Sequence, residues 1–295
     1  MTPYVADPVY LNGRFLPLAE AGISPLDRGF LYGDGVYELI PVYSRRPFRI
    51  DQHLLRLQAT LDGIRLRNPL TVDGWKAVID ELVASAPWDD QSIYLQVTRG
   101  ADNKRDHAFP PAEMAPTVFA FTAPLVTTPA EIRAVGVAAI TVADQRWARC
   151  DLKVVSLLAN ILARQQAVDQ GCAEAILIRD GLMKEGAASN IFVVRDGILH
   201  APPKTQLMLP GITYDVVLEL AESHGLPVKI AEIEETELRS ADEVWMTSST
   251  KEILAITTLD GAPVGNGPGA GRPGPLGQQM WQWYQDFKNT VMRKG

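Results

Sequence analysis

RCDLKVVSLLAN, residues 149–160, sets one lysine, Lys153, at the end of a mostly apolar run and directly before a stretch with helical character. An ε-amine attacks a carbonyl carbon only where desolvation or a nearby cation keeps it partly neutral. Leu152, Val154 and Val155 are the neighbours that could supply that environment. On this segment alone, Lys153 reads more readily as a strand-end lysine whose head reaches water. The decision between the two readings lies in the rest of the chain.

Around this stretch the chain runs to 295 residues, long for one domain and comfortable for two. At 46% hydrophobic and 21% charged it has the composition of a globular protein with a sizeable core. The net charge of −7 argues against nucleic acid as the main partner, because phosphate backbones are bound by an excess of Lys and Arg. Cys150 and Cys172 make neither a metal spacing nor a disulfide framework, which fits a reducing, cytoplasmic setting. His53, His107, His200 and His224 do not cluster in sequence, so no metal site is expected. The first residues lack a basic region followed by an apolar run, and no apolar stretch reaches the ~20 residues of a membrane span.

Upstream of Lys153 the pattern is β with two helices. Asn12-Gly13 separates two short apolar runs and predicts a hairpin. VYELIPVY (36–43), SIYLQVTRG (92–100) and TVFAFTA (117–123) read as strands. Leu54, Leu57 and Leu61 form one stripe of a helix, and 71–85 predicts a second. PLVTTPAEI (124–132), with two prolines and little periodicity, is the linker candidate. The expected division is 1–124, a linker at 125–132, and 133–295. Downstream come the strand 136–144, a helix over 156–171 with Ser156 as N-cap, and the strands EAILIRD and NIFVVRDGILHA. A helix ending at Gly225, the strands PVKIAEIE and EVWMTSS, a Gly/Pro-rich loop at 265–275 and a last helix at 276–291 follow. Strands and helices without strict βαβ alternation predict α+β domains, and no GxGxxG follows a strand.

Several residues in this frame carry chemistry. Glu185, in GLMKEGAASNIF (181–192), is placed at the tip of a turn, where a carboxylate could face a heteroaromatic nitrogen; singly it reads better as an exposed turn glutamate. LPGITYDVV (209–217) puts a Pro-Gly turn before a helix, so the N–H groups of Ile212 and Thr213 could bind an anion. TSSTKEI (247–253) adds the hydroxyls of Ser248, Ser249 and Thr250. Arg56 lies off the leucine stripe and is expected free to pair with a phosphate. In the loop ADNKRDHA (101–108), Arg105 and His107 are two apart and would point the same way, a fork and a donor for a carboxylate. Each anchor is a weak signal alone, and two or three in one chain are what the phosphate of pyridoxal 5'-phosphate (PLP) would require.

Four segments together, DRGFLYGDGVYE (27–38), YLQVTRG with RDHAFP after it (94–110), RCDLKVVSLL (149–158) and KEGAASNIF (184–192), resemble the fold type IV PLP-dependent aminotransferases. The D-amino acid branch is the nearer, and the likeness runs from LNGRF near residue 12 to TSSTKEI near 252. The resemblance implies a two-domain α+β fold, a small N-terminal and a larger C-terminal domain. It implies that Lys153 binds PLP and shuttles the proton, and that Glu185 partners the pyridine nitrogen. Arg56, Ile212 and Thr213 would hold the phosphate, Ser248 and Ser249 would lie near the cofactor, and Leu209 would pack on its ring. Tyr37, Arg105 and His107 would trap the substrate carboxylate, Arg105 and His107 reaching in from the neighbouring subunit of a homodimer. The implied activity is ping-pong transfer of an amino group from a D-amino acid to a 2-oxo acid. A branched-chain L-amino acid aminotransferase, an (R)-amine transaminase and an aminodeoxychorismate lyase share the fold and remain alternatives, as does a PLP-binding scaffold without activity.

The chain departs from the family pattern at four places. The loop before Arg105 is one residue longer, Pro41 stands where a basic residue is common, Ala187-Ala188-Ser189 replaces a serine-rich turn, and Tyr214 replaces a frequent arginine. These bear on rate, cofactor affinity and substrate breadth more than on reaction type.

Overall fold

The computed structural model describes residues 5–294. The chain divides into two compact units. Of the described residues, the first holds those up to Leu125, the short segment Leu152–Ser156 and 292–294; the second holds Val126–Asp151 and Leu157–Val291. Both are mixed helix and sheet, an α+β fold.

The first unit is built on a six-stranded antiparallel sheet. Its order is Arg14–Leu16, Val9–Leu11, Thr117–Pro124, Gln91–Thr98, Gly35–Tyr43, Arg46–Pro47. The predicted turn at Asn12-Gly13 forms with both residues at positive φ, and Val9 pairs with Leu16. The helix Ile50–Gly63 lays Leu54, Leu57 and Leu61 into the core against Ile40, Ile93 and Leu95 of the sheet. Val72–Ser85 follows, capped by the Thr71 side chain accepting from the Gly74 N–H, and buries Trp75, Ile79 and Leu82.

The second unit carries a ten-stranded mixed sheet. Its path runs Val228–Ile230, Ile198–Ala201, Asn190–Arg195, Glu243–Ser248, Glu252–Leu259, Val137–Ala143, Glu174–Arg179, Leu182–Gly186, Ile233–Glu234, with Ala262–Pro263 paired to Glu252–Leu259. The helices Leu158–Asp169, Ile212–Ser223 and Pro275–Phe287 belong to this unit. Glu243 closes the last of them, its carboxylate accepting from the N–H groups of Leu276 and Gly277 at 2.9 and 2.7 Å. Among the described residues no helix is long and apolar enough to cross a membrane.

Three local readings differ from the structure. Ser156 is not the N-cap of its helix: the helix begins at Leu158, its N-cap position is Leu157, and no side chain caps it. The backbone of residues 154 and 155 is spent instead on the strand Gly35–Tyr43, through a Val36–Val154 bridge and a bond from the Val155 N–H to the Gly35 carbonyl. Those same bonds group Leu152–Ser156 with the first unit, although the sequence places it in the 133–295 part. The linker candidate is only partly irregular, since Ala130–Val135 forms a short helix ended by Gly136 at φ +75°.

Candidate active site

The first unit gathers one group of functional side chains around Lys153. Leu152 and Val154 point into the core, which turns Lys153 to the other side of the extended segment. Its carbonyl accepts from the Tyr37 N–H at 3.0 Å, and its own N–H lies 3.4 Å from Thr60 Oγ1. Its Nζ sits over the Tyr37 ring, 4.2 Å from the centroid. Lys153 and Tyr37 are therefore brought together by backbone pairing between two distant parts of the sequence.

Arg56 is not free, contrary to expectation. Its Nε and Nη2 each donate to the Glu38 carboxylate at 2.7 Å, and His53 Nδ1 shares that carboxylate at 2.8 Å. Glu38 and His53 are fully buried. Burial would raise the Glu38 carboxyl, but the Arg56 guanidinium and His53 hold it well below the usual carboxylate range. Burial also lowers His53, against the pull of the Glu38 carboxylate. A buried carboxylate with two basic partners fixes the plane of Arg56, a rigid arrangement rather than a solvated surface arginine.

Arg105 and His107 gather round a different ring. The Arg105 Cζ lies 5.4 Å from the Tyr32 centroid, and the His107 ring is tilted against Tyr32 at the same separation. Both side chains are exposed, and both lie against the same ring.

The second unit holds the other group. Glu185 lies within the strand Leu182–Gly186 at 4% exposure, so it is no exposed turn glutamate. Its carboxylate receives Arg146 Nη1, the Leu209 N–H at 3.2 Å and Asn190 Nδ2 at 3.3 Å. Arg146 is shared with Asp144, which takes its Nε and Nη2 at 2.9 and 3.0 Å and also pairs with Arg179. Burial pushes Glu185 up to about 7 against the pull of Arg146, whose charge is divided between two carboxylates.

The raised Glu185 carboxyl makes stability depend on pH. Free of ligand, folded Glu185 keeps its proton to about pH 7, whereas an ordinary glutamate loses it near 4.5. The folded state binds more protons between those values, so the wild type loses stability relative to Glu185→Gln as pH rises through that window. The loss is on the order of 3 kcal/mol at most. Urea unfolding of both proteins at pH 5 and pH 8 measures it, and a constant difference between them would contradict the shift.

The helix Ile212–Ser223 starts at Gly211 without a side-chain cap, which presents the N–H groups of Ile212 and Thr213. Glycine is required at 211, since a Cβ there would lie 2.0 Å from Asn190 Oδ1. Asn190 also donates to the Leu209 carbonyl at 3.0 Å, tying that turn to Glu185. Asn190 pairs with Thr247, so Ser248 stands one residue further along the neighbouring strand, followed by Ser249 in the turn. Ser248 Oγ accepts from the Lys251 N–H at 3.2 Å. Ser189, the hydroxyl left in the Ala187-Ala188-Ser189 turn, donates to buried Glu174 at 2.6 Å. Tyr214 is buried, stacked on Phe192, and donates to the Pro202 carbonyl, so it fills core where an arginine would need a partner.

Glu38, His53, Asp144, Arg146 and Asn190 were not legible as site residues from sequence. Glu38 carried a signal, a carboxylate inside the apolar run VYELIPVY. His53, Arg56 and Thr60 follow helical spacing beside the leucine stripe. Arg146 carried none beyond its spacing of two from Asp144.

Each unit thus presents groups suited to amino-group chemistry. The first has a lysine pinned against an aromatic ring, and the second a buried carboxyl in a basic network and an uncapped helix start. The chain belongs to the class IV aminotransferases, whose family model matches residues 35–259. It is 40% identical over 269 residues to a D-alanine aminotransferase of Bacillus licheniformis, covering 91% of this chain and 92% of that one. A D-alanine aminotransferase of Staphylococcus aureus is 34% identical, covering 95% and 97%. Among solved structures, the branched-chain amino acid aminotransferase of Escherichia coli superposes with a TM-score of 0.87 at 27% identity, covering 95% and 94%. That of T.th., solved with pyridoxamine 5'-phosphate, gives 0.88 at 27%, covering 98% and 95%.

Proposed function

We propose that this aminotransferase uses PLP to move the amino group of D-amino acids, of the D-alanine and D-glutamate type, to 2-oxo acids in a ping-pong cycle. The observation that carries this reading is the 40% identity to a D-alanine aminotransferase across nine-tenths of both chains. Identity to the branched-chain enzymes of the same fold is 27%. The paired Arg105 and His107 support it, because a fork and a donor side by side suit a carboxylate.

The donor set fits the cofactor. Lys153 would be the amine that holds it covalently at rest. Glu185, buried and tied to Arg146, would partner the pyridine nitrogen, and Leu209 would pack on the ring. The N–H groups of Ile212 and Thr213 would receive the phosphate, as would Arg56, held in plane by Glu38, and Ser248 and Ser249 would serve near the cofactor. When bound, PLP supplies an electron sink for the charge left at the substrate Cα. Freed when the substrate amine takes its place, the Lys153 Nζ would remove the Cα proton as general base and give it back as general acid. Tyr37, Arg105 and His107 hold the substrate carboxylate, and so decide which face of Cα meets Lys153.

The same reading makes residues 1–124 a small domain, 125–132 a linker and 133–295 a large domain. It makes the protein a homodimer, with Arg105 and His107 serving the partner's site. Exposed apolar side chains on the helix Leu158–Asp169, Leu158, Ile161 and Leu162, support a covered surface. The free Cys150 and Cys172 support a cytoplasmic location.

Steady-state kinetics test the assignment. D-Alanine with 2-oxoglutarate should give pyruvate, with parallel double-reciprocal lines. Preference for L-leucine as donor would move the chain to the branched-chain group, and preference for an (R)-amine to the amine transaminases. Pyruvate release from aminodeoxychorismate without an acceptor would mark a lyase.

A further inference from the structure

The segment DRGFLYGDGVYE contributes Tyr37 to the site, but its Arg28 and Asp34 have no part in the chemistry above. Arg28 is 4% exposed. Its Nε donates to Asp34 Oδ2 at 2.9 Å. Its Nη1 donates to the carbonyls of Asp106 and Ala108 at 2.6 and 3.2 Å, and its Nη2 to that of His107 at 3.4 Å. Its Cζ also lies 4.8 Å from the centroid of Tyr32, the ring that Arg105 and His107 pack against. Asp34 is held in turn by Arg99, at 2.8 and 3.0 Å. Arg99 donates to the carbonyls of Ile64 and Arg65 and lies over the Phe109 ring, 3.9 Å from its centroid. Burial would raise the Asp34 carboxyl, but Arg99 and Arg28 hold it below its ordinary value.

We infer that Arg28, fixed by Asp34, is a positioning residue that sets the conformation of the loop carrying Arg105 and His107, and thereby the affinity for the substrate carboxylate. This rests on the reading of Arg105 and His107 as the carboxylate trap. Three consecutive peptide carbonyls turned toward one buried guanidinium describe a loop wrapped around a cation. The loop has no strand ladder at 106–108 to hold it, and Arg105, His107 and Ala108 are exposed. Guanidinium geometry suits the task, because one planar fork meets Asp34 and the three carbonyls at once. A lysine offers a single point of donation and could serve only some of them.

The test compares D-alanine kinetics of the holoenzyme with those of Arg28→Met, Arg28→Lys and Arg105→Ala, alongside trypsin nicking after Lys104 and Arg105. Arg28→Met is expected to raise KM for D-alanine about 10- to 100-fold, with kcat within about threefold and the cofactor absorbance retained. Arg28→Lys should fall between it and the wild type, and both should be nicked faster at 104–105. A merely structural role would instead lower kcat and cofactor binding together. If Arg105→Ala raises KM while the Arg28 variants stay within about twofold of the wild type, the positioning role falls and the trap stands. If Arg105→Ala leaves KM unchanged, the trap reading itself fails and takes this inference with it. Should Arg28→Met not fold, Arg28→Lys decides alone, and wild-type KM with wild-type nicking overturns the proposal.

Discussion

Lys153→Ala is expected to leave a folded protein without the visible absorbance of bound cofactor and with turnover lowered on the order of 10⁴-fold or more. Fold and function separate cleanly at this position. The segment is anchored through backbone, by the Tyr37 N–H on the Lys153 carbonyl and the Val155 N–H on Gly35, and by the buried Leu152 and Val154. Alanine keeps all of these. What it removes is the amine over the Tyr37 ring, the group assigned both covalent attachment and proton transfer. Thermal unfolding should therefore move little while activity disappears. Substantial transamination by the variant would show that another group moves the proton.

Glu185→Gln is expected to lower kcat about 10²- to 10³-fold with the fold retained. Glutamine matches the size of the carboxylate and still accepts from the Leu209 N–H, and Arg146 keeps its bonds to Asp144. It cannot keep a pyridine nitrogen protonated, so the ring loses its strength as an electron sink. The drop should fall on kcat for every amino donor alike, because the role proposed for Glu185 is toward the cofactor and not toward substrate recognition. A kcat within a fewfold of the wild type would remove Glu185 from the chemistry.

The elements that periodicity specifies were readable from the chain. The stripe of Leu54, Leu57 and Leu61 packs as its spacing predicts, and Asn12-Gly13 turns because both residues accept positive φ. Lys153 and Glu185 could be singled out only by resemblance, since each alone looks like a surface residue. Their placement depends on contacts far apart in sequence. Residues 35–37 pair with 153–155, and Glu185 joins a turn at 209 and an arginine at 146. Arg56 was misread as free for the same reason: Glu38, 18 residues away on a strand, claims two of its donors. Ser156 failed as a cap because the adjoining backbone was already committed to the sheet.

The visible spectrum of the purified holoprotein, recorded before and after D-alanine and then separately L-leucine, tests the central claim most directly. D-Amino acid transamination predicts that D-alanine alone bleaches the yellow absorbance, and that pyruvate addition restores it. Bleaching by L-leucine alone, or by neither amino acid, would contradict it.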